Sequence, residues 1–242
     1  MYNLARFGFS DMMDCRARLR SIFDEEPATV TEAGERVVRF FYGELADASG
    51  QPACALVRLF KTHPYEKLDE ERKAFVRRTV PDADRLDSLR CLVLIATAGD
   101  VKEWNSPHDS RGHKAIALTS EKMVEEAPMI AQLIKQLGVA ISTVLSPDPS
   151  LLLDMRDTSH NVFYVPVALG SPSIVAQNEF VIPYGISSVV GFGGMLASGD
   201  LFATILFSKV PISAETADLF KVIGLNLKLA LLPVARRPLF AA

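Results

Sequence analysis

Residues Ile186–Ser208, ISSVVGFGGMLASGDLFATILFS, decide how the chain is read. They sit in a charge desert: from Thr158 to Ser208 only Glu179 and Asp200 are charged among 51 residues, where the chain-wide 23% gives about 12. Phe180–Gly199 is uncharged over 20 residues, nominally long enough to cross a bilayer. Yet it holds Pro183, Gly185, Gly191, Gly193, Gly194 and Gly199, with Ser187, Ser188 and Ser198. A lipid-exposed helix must satisfy its own backbone, and this composition is that of strands and turns. Ser198-Gly199-Asp200 between two apolar runs marks a tight hairpin, giving strands at Ser188–Leu196 and Leu201–Ser208. Gly191-Phe192-Gly193-Gly194 fails as a dinucleotide fingerprint. Leu196 stands where the third glycine belongs, and a strand follows in place of a phosphate-binding helix. These glycines are expected to allow a bulge or a close backbone approach.

Working outward, Ser213 opens a closing helix to Leu232, with Glu215 near its positive end and Pro233 as its stop. Phe220, Ile223, Leu227 and Leu231 share one side of it. Upstream, Ser10–Glu25 carries Met12, Cys15, Leu19, Ile22 and Phe23 at helical spacing. Thr29-Val30-Thr31-Glu32 has the form of a capping box for a second helix, Thr29–Ala46, which Ser49-Gly50 ends. A strand is expected at Ala53–Lys61, a charged surface helix at Leu68–Thr79 stopped by Pro81, and a strand buried on both faces at Arg90–Thr97. Short helices follow at Glu121–Glu125 and Pro128–Leu137, and a strand at Asn161–Ala168. Strands with segregated helices and a hairpin-paired sheet make an α+β arrangement, at least partly antiparallel. No flexible linker or internal repeat divides the chain, so 1–242 is expected to be a single domain.

Length and composition narrow the function. With 26 Lys+Arg against 29 Asp+Glu in 242 residues the formal charge is −3, which excludes a basic nucleic-acid arm, and 49% hydrophobic residues exclude disorder. The N-terminus lacks a secretory apolar core. Cys15, Cys54 and Cys91 have neither disulfide-framework nor metal spacing, which points to a reducing cytoplasm. There is no GxxxxGK[ST], GxSxG or HExxH, so neither nucleotide hydrolysis nor serine hydrolysis is indicated, and no enzyme is expected. Of His63, His108, His113 and His160, two share a loop with Asp109. A loose metal site could be drawn there, but the pattern is that of an ordinary polar loop, and haem has no signature. No metal ligands are assigned and the cofactor is left unknown.

Lys102–Ser120, KEWNSPHDSRGHKAIALTS, is the segment most suggestive of binding. It holds the single Trp of the chain, Trp104, among Asn105, Ser106, His108, Asp109, Ser110, Arg111 and His113. An aromatic ring among hydrogen-bonding groups on a loop suits the wall of a small-molecule pocket. It equally suits a surface loop pinned by a half-buried Trp. Thr62-His63-Pro64-Tyr65 makes a weaker case of the same kind.

Ile186–Leu232 resembles the end of a GAF-type sensor domain. THPYEKL at 62–68, ATAG at 96–99, EWNS at 103–106, GHKAIALTS at 112–120, PMIAQLIKQLG at 128–138 and Ile182-Pro183-Tyr184 with the strands after it resemble the GAF-like module at the N-terminus of bacterial sensor histidine kinases. The likeness spans essentially the whole chain. It implies a central antiparallel sheet with terminal helices on one face, pairing with a second subunit, and a ligand pocket on the other under short helices and loops. The dimer helices would be Ser10–Glu25, Thr29–Ala46 (within 1–48) and Ser213–Leu232. The pocket cover would include Trp104–His113 and Val175–Tyr184, with Trp104, Asn105, His108, His113, Tyr184 and Phe192 as ligand-binding residues. The implied function is cytoplasmic signal sensing, as in two-component systems: a small molecule is bound and relayed through a homodimer to a histidine kinase or other output protein. That output would be separate or missing, because no kinase, cyclase or DNA-binding segment follows the last helix. A ligand-free dimerisation or protein-interaction module is the alternative. Neither nucleic acid nor membrane is expected as a partner. No cysteine is placed for bilin attachment or for methionine sulfoxide reduction. The low charge of 158–208 points to an apolar or neutral ligand.

Overall fold

The structure, a computed structural model, describes residues 1–80, 83–147 and 161–240. Pro81, Thr158 and His160, named above, lie outside the described residues. The chain runs β1 (Tyr2–Asn3), α1 (Phe9–Ser21), α2 (Val30–Glu44), β2 (Leu45–Ala46), β3 (Cys54–Pro64), α3 (Glu70–Thr79), β4 (Arg90–Gly99) and β5 (Ala115–Leu118). It continues through α4 (Glu121–Glu125), α5 (Pro128–Gln136), α6 (Ile141–Leu145), β6 (Val162–Val165), β7 (Ser188–Met195), β8 (Leu201–Ser208) and α7 (Ala214–Leu231). Six strands form an antiparallel sheet in the order β5-β4-β3-β8-β7-β6, and β1 pairs with β2 in parallel. The uncharged stretch is the β7–β8 hairpin, turning through Gly199 at φ 82°, a backbone conformation that glycine adopts without a Cβ penalty.

Local signals place most elements. Thr29 Oγ1 accepts from the Glu32 N–H at 3.0 Å, but the Glu32 carboxylate takes the N–H of Ala28, one residue before the expected partner, at 2.7 Å. Ser213 and Asp69 cap α7 and α3 in the same way. Several boundaries move: the strand expected at Ala53–Lys61 runs Cys54–Pro64, the one expected at Asn161–Ala168 is Val162–Val165, and three further changes have a visible cause. The first helix ends at Ser21 where the sequence pointed to Glu25, because Ile22 and Phe23 turn into the core and Arg36 takes the Ile22 carbonyl at 3.0 Å. The second stops at Glu44, because Leu45–Ala46 turns extended to pair with Tyr2–Asn3. Ala115–Leu118, read as loop, is an edge strand on β4, its Ala115 and Leu118 opposite Val93 and Arg90.

The sheet separates two apolar layers. On one face α1, α2 and α7 bury Met12, Val37, Phe41, Phe220, Ile223 and Leu227 against Val57, Leu59, Val93, Ile95, Val190 and Phe192. A Cβ at Gly34 would lie 2.8 Å from Ile95, so α2 reaches β4 at glycine distance. The other face, carrying Leu56, Phe60, Leu94, Ala203 and Ile205, is covered by α4–α6, 3₁₀ turns at Lys102–Asn105 and Pro107–Asp109, and a π-helical turn at Gln177–Val181. No helix among the described residues is long and apolar enough to cross a membrane.

Candidate functional site

Strand alternation sends every second side chain of β3 to the face covered by short helices. Val57 and Leu59 pack under the terminal helices, so Arg58 between them points to the other side. Directly across the sheet stand Thr97 on β4 and Ile205 on β8. Thr97 is buried, and its Oγ1 has no hydrogen-bond partner among the described residues. Arg58 is partly buried, with its Nε fully enclosed and unpartnered. Its terminal nitrogen lies 3.4 Å from His113 Nδ1. Burial pushes the Arg58 guanidinium down to about 10, still charged at neutral pH. Burial first, and the Arg58 charge second, hold the His113 imidazole below its ordinary value. His113 nevertheless remains an exposed residue. Three residues earlier in the same loop, buried Ser110 also has an unpartnered hydroxyl.

Next to this cluster, aromatic rings meet from separate segments. Trp104 lies 4.5 Å from Tyr184 and 5.6 Å from Phe180 between ring centroids, and Phe180 stands edge-on to Phe207 of β8 at 5.0 Å. The Trp104 and Tyr184 segments named from sequence do come together. The other named residues separate. Asn105 holds backbone: its side chain takes the Gly99 N–H and donates to the carbonyls of Gly99 and Val101. His108 is tied outward to Glu71 at 2.7 Å, and Glu71 also takes Lys114 at 2.6 Å. Phe192 lies on the opposite face, fully buried between Phe41 at 5.2 Å and Phe220 at 5.3 Å. An open depression of about 530 Å³ lies apart from all six residues, lined by Glu125, Gln132, Lys135, Gly138, Val139 and Ile141.

Sequence reasoning passed over two charged positions. Arg58 is one; its signal was a lone arginine inside the apolar run Ala55–Phe60. Asp200 is the other, the charged residue of the hairpin turn. Its carboxylate receives Lys61 Nζ at 2.5 Å on one oxygen and Arg90 on the other, with the Ser198 hydroxyl donating at 2.8 Å. Among the described residues no group of three or more His, Cys, Asp or Glu could hold a metal ion. Cys15, Cys54 and Cys91 are free and buried, and burial pushes each thiol up to about 12, so none is a thiolate at neutral pH.

No family model matches the chain, and no curated protein matches it. Solved structures similar to it include the GAF domain from a phosphoenolpyruvate-protein phosphotransferase (ptsP) from Coxiella burnetii, at 10% identity over 93% of this chain and 95% of that one, TM-score 0.48. The GAF domain from the Acinetobacter phosphoenolpyruvate-protein phosphotransferase overlaps at 10% identity over 93% and 94%, TM-score 0.44. The phycocyanobilin-bound GAF domain from a cyanobacterial phytochrome does so at 10% over 92% and 94%, TM-score 0.42. A six-stranded antiparallel sheet with the terminal helices on one face and short helices and loops over the other is the α+β arrangement that the sequence resemblance to GAF-type domains implies.

Proposed function

We propose that the chain is a sensory regulatory module. It takes up a small molecule beside Trp104, where Arg58 and His113 meet, and passes that occupancy to its terminal helices. The observation that carries this reading is the set of polar groups on the sheet face covered by short helices without protein partners among the described residues: Thr97 Oγ1, Ser110 Oγ and Arg58 Nε. Buried polar groups are ordinarily satisfied, and a group left open in an otherwise apolar layer suits a partner from outside the chain. The relay has a direct route. Arg58 shares β3 with Val57 and Leu59, which pack under the terminal helices, so a ligand that shifts β3 bears on the helix layer. The ligand acts by its difference in affinity for two helix packings. Within this reading the chain works as a homodimer feeding a histidine kinase or another output protein, and it assigns no reaction to the chain.

Trp104 supplies the test, as the single Trp of the chain and in contact with Tyr184. A metabolite library screened by thermal shift and Trp104 fluorescence is expected to give compounds that move both signals. A library with no compound moving either removes the sensory reading.

A second reading, a dimerisation module without ligand, is favoured by two observations. The space behind Trp104 is filled by Phe180, Tyr184 and Phe207, and α7 leaves Leu225, Leu229 and Leu232 exposed at helical spacing away from the sheet. Leu227, by contrast, is buried in the sheet layer. Leu229→Glu is expected to convert a dimer to a monomer in light-scattering mass measurements with the melting temperature within about two degrees of wild type, as an exposed substitution allows. A mass unchanged by Leu229→Glu counts against α7 as the dimer contact in both readings.

A further inference from the structure

Among the described residues three arginines have an enclosed Nε without a partner: Arg58, Arg72 and Arg90. Arg72 donates to Asp69 and lies over the Phe240 ring, and Arg90 donates to Asp200. Arg58 meets no carboxylate among the described residues; its polar partner there is the imidazole of His113. A charge taken out of water without an opposite charge is costly to the fold, and apolar residues of similar volume are the cheaper alternative. The flanking residues Leu56, Val57, Leu59 and Phe60 show that this strand otherwise uses them. An arginine kept in such a place fits an anion that arrives from outside.

We propose that Arg58, flanked by Thr97 and His113, anchors the carboxylate of a small organic acid whose apolar body lies beside Trp104. This rests on the sensory reading above and names its ligand class. Arg58 donating to His113 Nδ1 leaves the imidazole neutral with its proton on Nε2, so the site offers a cation, a neutral N–H and the Thr97 hydroxyl. The planar guanidinium fork matches a carboxylate in two parallel hydrogen bonds. A phosphate dianion would bring a second negative charge, and among the described residues no second cation bears on Arg58 or His113. Lys114 and Arg90 are already answered by Glu71 and Asp200. Trp104, only partly buried on the same face, gives the body of the ligand an apolar neighbour. The neutral ligand expected from the low charge of 158–208 is thereby replaced, since the deciding charge sits on β3, outside that segment.

The test titrates the protein with benzoate, phenylacetate and hexanoate, each beside its primary amide, and with inorganic phosphate, at constant ionic strength. Trp104 fluorescence and melting temperature are read for wild type, Arg58→Met and Arg58→Lys. Carboxylates are expected to bind wild type at least about tenfold more tightly than their amides. Arg58→Met is expected to lose that preference while melting no lower than wild type without ligand, because it removes an unanswered charge. Arg58→Lys, which keeps the charge without the fork, is expected to weaken carboxylate binding at least about fivefold and serves as the check if Arg58→Met does not fold. Amides binding as well as acids, phosphate binding more tightly than acids, carboxylate binding unchanged in both variants, or an Arg58→Met protein melting several degrees lower overturns the anchor. Amides that bind wild type and Arg58→Met alike leave the sensory reading standing while this inference falls. Silence toward these probes and toward the wider library removes both.

Discussion

Asp200→Ala is expected to lower the stability of the chain by about 3–5 kcal/mol, the usual cost of removing one partner from a buried ion pair. Lys61 and Asp200 are 3% and 7% exposed, and the same carboxylate also holds Arg90. Removing it strands two cations. Lys61 comes from the helix side, where it lies near Val30, Gly34 and Leu231, and Arg90 from β4, where it also donates to Thr62 Oγ1 at 3.0 Å. Asp200→Asn keeps the shape but not the charge, so it should recover little. The pH dependence carries the same signature. Burial alone would raise the Asp200 carboxyl, but Lys61, the Ser198 hydroxyl and Arg90 outweigh it and hold the group below the ordinary carboxylate value. A carboxylate whose folded pKa lies below its unfolded one adds stability that is complete above the unfolded value of about 3.9 and disappears as pH falls through the folded one. In urea unfolding, the gap between wild type and Asp200→Ala should therefore be constant above about pH 5 and shrink below about pH 4. A gap under about 1 kcal/mol at neutral pH, the range of exposed ion pairs, would refute the account.

The hairpin was legible because its chemistry is local: scarce charge, two apolar runs and a Ser-Gly-Asp turn between them need no knowledge of the rest of the chain. The caps at Thr29 and Ser213 are legible for the same reason. What escaped depends on partners distant in sequence. Ala115–Leu118 has no alternation and is a strand through its pairing with β4. Leu45–Ala46 leaves the helix because Tyr2–Asn3 lies alongside. The turn at Gln177–Val181 is held by the Gln177 amide donating to the carbonyls of Ala168 and Ile174, a bond pattern without a sequence signature. In the site, the likeness to GAF domains brought Trp104 and Tyr184 to one place. Phe192, drawn in with its glycines, shares strand parity with Val190 and so belongs to the helix layer. Arg58 was visible as a charge inside Ala55–Phe60, but its weight depends on β3 being the centre of the sheet, between β4 and β8.

Gly193→Ala is expected to cost about 3 kcal/mol or more, while Gly191→Ala, two residues away on the same strand, costs about 1 kcal/mol. The difference lies in what the new methyl meets. At Gly193 a Cβ would stand 2.1 Å from the Phe202 carbonyl oxygen and 2.9 Å from the Ala203 Cα, all backbone of the paired strand. Relief requires moving β8 away from β7, which breaks the pairing of Gly193 with Ala203 and of Gly194 with Phe202. At Gly191 the neighbours are the Leu133 methyl and the Phe163 side chain at 3.2 Å, which can give by a few tenths of an ångström. The damage at Gly193 also spreads to both layers, since β7 packs Phe192 against Phe41 and Phe220 and β8 carries Ile205 beside Arg58. Urea midpoints followed by circular dichroism measure both variants. Equal losses would show that the close backbone approach is not what fixes glycine at 193, and the glycine-rich strand would need another explanation.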